Sequence, residues 1–211
     1  MQNTYNKQTA KFLAMVAQNM PEMSADVMQG WIQNPKALKK ALTILSPLET
    51  TSRFEVWKTI RLGTSLKTAD DFRAAIKIAG MYIGDWGNDI LSKPVFTAST
   101  EETEIDLVVV SNADLGFRDG AELKDTYARA LELGLDLCPN EVGPQLRLQY
   151  TDQPIGEWLL IAMEPIVDSD GNRILFHVER RDGGSQYLYG SHGDPVNVWH
   201  ADARFVFRRR K

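Results

Sequence analysis

The chain has 211 residues, 43% of them hydrophobic and 25% charged, with a formal net charge of −4. That composition belongs to a globular chain able to bury a core, and no apolar run is long enough to span a bilayer. Cys138 is the single cysteine, which excludes an intrachain disulfide. The length suits one domain with an appendage, or two small ones. Met1-Gln2-Asn3-Thr4 lacks the basic-then-apolar form of a secretion signal, so a cytoplasmic setting is expected. Charge is laid out unevenly. Residues 1–62 carry 8 Lys and Arg against 4 Asp and Glu, residues 63–170 carry 8 against 20, and residues 171–211 carry 8 against 4. An acidic middle between basic ends fits ends that fold back on the middle, or a polar partner surface.

Residues 1–50 read as a helical N-terminal extension. Phe12, Leu13 and Val16 give a first apolar stripe, ending near Met20-Pro21. Ser24 caps a second short helix through Trp31. Asn34-Pro35 opens a third, with Leu38, Ala41, Leu42 and Leu45 at helical spacing. Methionines at 15, 20, 23 and 28 are ordinary helix-packing residues on this reading.

Residues 51–211 read as an α+β domain with a largely antiparallel mixed sheet and packed helices. Phe54 to Leu62 alternates apolar and polar, the pattern of a strand with one wet face. Thr68 and Asp71 form a capping box with Asp in place of Glu. Phe72, Ala75, Ile76 and Ala79 are the buried face of the helix that follows. Asp85 caps another, through Leu91. The most strand-like run is Ile105 to Phe117. Leu107-Val108-Val109-Val110 is β-branched and unbroken, the mark of a strand buried on both faces. Ser111-Asn112-Ala113-Asp114 then turns the chain or caps a helix. From Asp119-Gly120 a helical pattern places Leu123, Tyr127, Ala130 and Leu131 on one face and stops at Gly134, a left-handed cap. Leu135 to Cys138 is a short strand, and Pro144 sits at a helix start. Trp158 to Met163 is a buried strand, Asp168 to Asn172 a hairpin turn, and Ile174 to Val178 its return. Residues 183–201, rich in Gly and Tyr, read as a long loop before a last strand, Arg204 to Arg208.

Four stretches carry a resemblance. They are Trp57-Lys58-Thr59-Ile60-Arg61-Leu62-Gly63-Thr64, Gly84-Asp85-Trp86-Gly87-Asn88-Asp89-Ile90-Leu91, Cys138 to Leu148 (C-P-N-E-V-G-P-Q-L-R-L), and Trp158 to Pro165 (W-L-L-I-A-M-E-P). Together they resemble a group of bacterial proteins to which no activity is attached. The resemblance covers about residues 54–211. It implies a bacterial origin and one contiguous domain, and supplies no catalytic residues.

Several constellations are candidates for chemistry. His192-Gly193-Asp194 and His200-Ala201-Asp202 repeat a His-x-Asp unit, and imidazole with carboxylate suits a divalent metal in a metal-assisted hydrolase. His177 is a further donor from the neighbouring strand. Solvated loop residues give the same pattern. Cys138 beside a helix start is a candidate thiolate, or a buried structural cysteine. Asp136, Glu141 and Glu164 fall near strand ends, without a metal-site spacing. Asp168-x-Asp170-Gly171 is explained by a hairpin turn. Arg204, Arg208, Arg209, Arg210 and Lys211 would serve a nucleic-acid binder, with Tyr187, Tyr189 and Trp199 stacking on bases, against an acidic whole. The leading expectation is a non-enzymatic binding protein with no membrane role. Its contact surface would be Tyr187, Tyr189 and Trp199, its partner another protein, and no cofactor is required.

Overall fold

The computed structural model describes residues 14, 15, 18, 22–37 and 54–210. The chain divides into two units, Met1–Glu49 and Thr50–Lys211. In the first, Ser24 accepts a hydrogen bond from the Val27 amide and caps α1 (Ala25–Gln33). Asn34 does the same for Ala37 and starts another helical turn at Pro35. The stripe Phe12, Leu13, Val16 and the run Leu38 to Leu45 lie outside the described residues.

The second unit is an α+β fold. Its strands are β1 (Lys58–Leu62), β2 (Tyr82–Ile83), β3 (Thr103–Ser111), β4 (Ala121–Glu122), β5 (Leu135–Asp136), β6 (Trp158–Ile161), β7 (Ile166–Val167), β8 (Arg173–Arg180), β9 (Gln186–His192), β10 (Val198–Trp199) and β11 (Arg204–Arg209). The main sheet runs β1-β3-β11-β6-β8-β9-β2, with β5 beside β11 and β7 beside β8. Its pairings are antiparallel except β11–β6 and β9–β2. The valine run is an interior rung: β3 lies between β1 and β11. Its end is fixed by local chemistry. Ser111 accepts from the Asp114 amide and Asp114 accepts from that of Ser111, a capping box that opens the short α4 (Asn112–Leu115).

The two faces of the sheet are treated differently. One packs Ile60, Leu107, Val206, Ile161, Phe176 and Leu188 beneath α2 (Ala69–Ile78), α3 (Asp85–Leu91) and α6 (Val142–Gln149). The approach is close, because a Cβ on Gly143 of α6 would stand 2.6 Å from the Phe176 ring. The other face is covered only in part. Tyr127 of α5 (Leu123–Glu132) packs edge-on against Phe205 and Phe207 and bonds to the Met163 backbone. That helix shields β3 and β11. Over β8, β9 and β2, α3 and α6 lie on the opposite side of the sheet.

Four expectations are corrected. Residues 186–192 form β9, not a loop: Tyr187, Tyr189 and Ser191 share one face and Leu188 and Gly190 the other. Gly190 is no breaker, since the space of its absent Cβ is filled by Trp86 and Ile174 at 2.6 and 2.7 Å. Val198–Trp199 is also a strand, and it pairs with Ala121–Glu122. That pairing keeps Ala121 and Glu122 out of α5, which begins at Leu123. Finally, β1 begins at Lys58 rather than Phe54, and Pro144 is the third residue of α6 rather than its first.

Candidate binding face

Strand register assembles the open face. Trp158 of β6 is opposite Glu179 of β8, Glu179 is opposite Tyr187 of β9, and Tyr187 is opposite Tyr82 of β2. The next row is Leu160, His177 and Tyr189. Side chains opposite one another across strands point to the same side and touch. The rings therefore form a column. Tyr82 stacks on Tyr187 at 5.0 Å, Tyr187 on Tyr189 at 5.2 Å, and Tyr189 on His177 at 5.5 Å, with planes within 25°. Trp158 meets His177 edge-on at 5.9 Å and lies tilted against Trp199 at 6.0 Å. Trp199 in turn touches Phe205 of the core. The column is thus rooted in the interior at one end. At the other it is open to solvent, where Tyr82 is 53% exposed; Trp158, beside the rooted end, is itself 40% exposed.

Two devices hold the column in shape. Gly84, just beyond β2, donates its amide to Leu188, and a Cβ there would lie 2.0 Å from the Tyr189 ring. The ring lies where a side chain on residue 84 would otherwise stand. Near Trp158, the fully buried Arg147 of α6 donates to the Tyr150 carbonyl and to Gln153 Oε1, each at 2.5 Å. Gln153 passes the constraint on by donating to the carbonyls of Glu157 and Val178. Burial pulls the Arg147 guanidinium down to about 10, still charged at neutral pH.

The charged groups on this face are paired. Arg181 Nε is 3.0 Å from Glu179 Oε1, and its guanidinium lies 4.8 Å over Tyr187 and 4.7 Å over Tyr189. His177 is pushed down to about 4 by burial, which outweighs the upward pull of Glu179 and is aided by Arg181. It is neutral at pH 7, and Nδ1 bonds Ser191 Oγ at 2.8 Å. Serine, histidine and carboxylate are the residue types of a nucleophilic hydrolase. Here, though, Glu179 stands 3.7 Å from Nε2, beyond hydrogen-bond reach, and the imidazole is held as a ring in the stack.

The other candidate residues are dispersed. His192 ends β9 with its ring against Trp86. Asp194 accepts the Val196 amide in the following turn and faces Arg173 at 3.7 Å. His200 and Asp202 are exposed in the turn between β10 and β11. Among the described residues no group of three His, Cys, Asp or Glu side chains is placed to hold a metal ion. Cys138 is buried with Sγ against the Val206 carbonyl, and burial pushes its thiol far up, the reverse of an activated thiolate. Asp136 sits between Arg208 and Arg210; burial opposes its ionisation, but hydrogen bonds from both arginines hold it below the usual carboxylate range. Glu141 is fully buried and accepts from Gly63 N, Ser99 N and Gln145 Nε2, while Glu164 is exposed elsewhere. Asp168 Oδ1 accepts the Asp170 and Asn172 amides and closes a hairpin turn.

Of the basic C-terminal residues, Arg204 is paired with Glu157, and Arg208 and Arg210 with Asp136. Lys211 lies outside the described residues. Arg209 lines an open cleft of about 470 Å³ whose wall also holds Asp106 and Asp136. That cleft is of mixed sign, unlike the unbroken basic groove that follows a phosphate backbone.

Tyr187, Tyr189 and Trp199 thus sit together on one face. Sequence reasoning missed Tyr82, Trp158, Glu179 and Arg181, and named His177 only as a metal donor rather than as part of this face. Among the described residues no helix is long and apolar enough to cross a membrane. No protein-family model matches the chain, and neither a curated protein nor a solved structure is significantly similar to it.

Proposed function

We propose that residues 54–210 are a binding module whose partner is another protein, engaged through the ring column on the open face of the sheet. The observation that carries this reading is the row Trp158, Glu179, Tyr187, Tyr82, partly exposed yet fixed by neighbours on every strand. Rigid Tyr and Trp side chains supply contact area at low entropic cost, and with Arg they are the residues enriched in recognition surfaces. Stacking on nucleic-acid bases needs the same rings but also a positive field. Residues 54–210 hold 17 Lys and Arg against 25 Asp and Glu, a balance of −8, which favours a protein partner. The reading carries the expectation of a cytoplasmic setting, supported by Cys138 being a free, buried thiol.

The test is photo-crosslinking in living cells, with benzoylphenylalanine placed at Tyr82 or, as a control, at the exposed Ile78 of α2. Protease-sensitive adducts from position 82 alone, lost when Tyr187 and Tyr189 are changed to Ala, are expected. Nuclease-sensitive adducts, or none, overturn the reading.

A further inference from the structure

The arrangement around Glu179 narrows what the partner brings. Its carboxylate lies between Trp158 on one neighbouring strand and Tyr187 on the other. The chain's own Arg181 shows how a guanidinium fits there. It bonds the carboxylate at 3.0 Å while lying within 5 Å of the centres of both tyrosine rings. A planar cation held by a carboxylate and ring faces is the mode in which arginine, rather than lysine, is bound, because its flat charge both stacks and forks. Arg181 itself is exposed, tethered only two residues from Glu179, and is the group on this face best able to swing aside. Trp158 offers a further exposed ring on the far side of the carboxylate. The acidic balance of residues 54–210 draws a basic segment toward the module.

We propose that Glu179, framed by Trp158, Tyr187 and Tyr189, is a receptor for an arginine side chain on a basic segment of the partner protein, and that Arg181 occupies the place until the partner arrives. This rests on the binding reading above and adds the chemistry of the bound residue. The resident contact is intramolecular, so a partner's arginine competes with it. Removing the competitor therefore tightens binding, whereas removing the carboxylate abolishes it.

The experiment uses the full chain and fluorescence anisotropy with a labelled Arg-Gly repeat peptide and a Lys-Gly peptide of equal length. Arg181→Ala is expected to tighten the Arg-Gly peptide about three- to tenfold, the worth of one exposed ion pair with its ring contacts. Glu179→Gln is expected to weaken it about tenfold or more, and Trp158→Ala about threefold. The Lys-Gly peptide gains nothing comparable from Arg181→Ala. The inference is overturned if Arg181→Ala weakens binding or leaves it unchanged, if the lysine peptide gains equally, or if neither wild type nor variant binds. Arg181 and Trp158 are exposed, so those two variants decide the matter even where Glu179→Gln folds poorly. Polypeptide adducts at Tyr82 without arginine preference remove this inference alone; nuclease-sensitive adducts remove the binding reading with it.

Discussion

His177→Gln isolates one titration. In the folded chain the imidazole sits at about 4, and in the unfolded chain at its ordinary 6.5. The unfolded state therefore binds a proton first as pH falls, and stability drops with it. The contribution is intact above about pH 6.5, erodes as pH falls toward 4, and changes no further below. The gap between 6.5 and about 4, at about 1.4 kcal/mol per pH unit, amounts to about 3–4 kcal/mol, a sizeable part of a domain's net stability. The ring is only 12% exposed, so solvent screens little of this. Asp71, Asp89, Asp136 and Asp168 have folded values lowered from 3.8, so their contributions persist above about pH 4 and vanish below it, outside this window. Glutamine can still bond Ser191 but cannot take up the proton. Urea unfolding from pH 7 down to about 4.5 should show wild-type stability falling by about 2–3 kcal/mol more than that of His177→Gln. Parallel pH profiles for the two proteins would refute the claim that burial in the column keeps this histidine neutral.

Two further substitutions probe how the face and the core are held. Gly84→Ala keeps an ordinary backbone, since φ is −77°, but puts a methyl 2.0 Å from the Tyr189 ring. The ring must leave the stack, so near-ultraviolet circular dichroism should change markedly for a stability loss of only about 1–3 kcal/mol. An unchanged spectrum would mean the column is not shaped by that glycine. Glu141→Ala strips the acceptor from two backbone amides, while Gln145 keeps Thr64 as a partner; at about 1–3 kcal/mol for each amide this predicts about 2–6 kcal/mol by urea unfolding with an unchanged m value. A loss under about 1 kcal/mol would show that those donors find other partners.

Local signals proved readable where one segment decides its own conformation. The valine run became β3, Thr68 with Asp71 closed a capping box, and Gly134 took φ of 82° at the end of α5. Ser24 capped α1 for the same reason, its hydroxyl being three residues from an orphan amide. The open face was not readable in this way. Trp158, Glu179, Tyr187 and Tyr82 meet only through register between strands far apart in the chain, and no local pattern specifies that alignment. The stretch Gln186 to His192 misled for a physical reason as well. Its glycine and tyrosines resemble loop composition, yet the glycine admits Trp86 from one side while the tyrosines alternate onto the other. Tyr187 and Tyr189 were singled out for their composition, and it is strand alternation that sets them side by side.

Strand propensity accounts for tyrosines in β9, and cross-strand ring pairs account for about 0.2–1 kcal/mol apiece. Neither accounts for the rest of the face. A carboxylate set in a row of rings adds desolvation without core packing, and the arginine that answers it lies on the surface. A glycine at position 84 yields its space to a ring that is itself only half buried. On the opposite face Gly143 of α6 and Gly190 of β9 let α6 and α3 each pack closely on the sheet, which is the ordinary use of such positions in a core. Close packing that ends in solvent rather than beneath a helix is the feature on which the proposed binding reading rests. Glu179, with its charge answered by the exposed Arg181, is the point of that face on which the proposed arginine site depends.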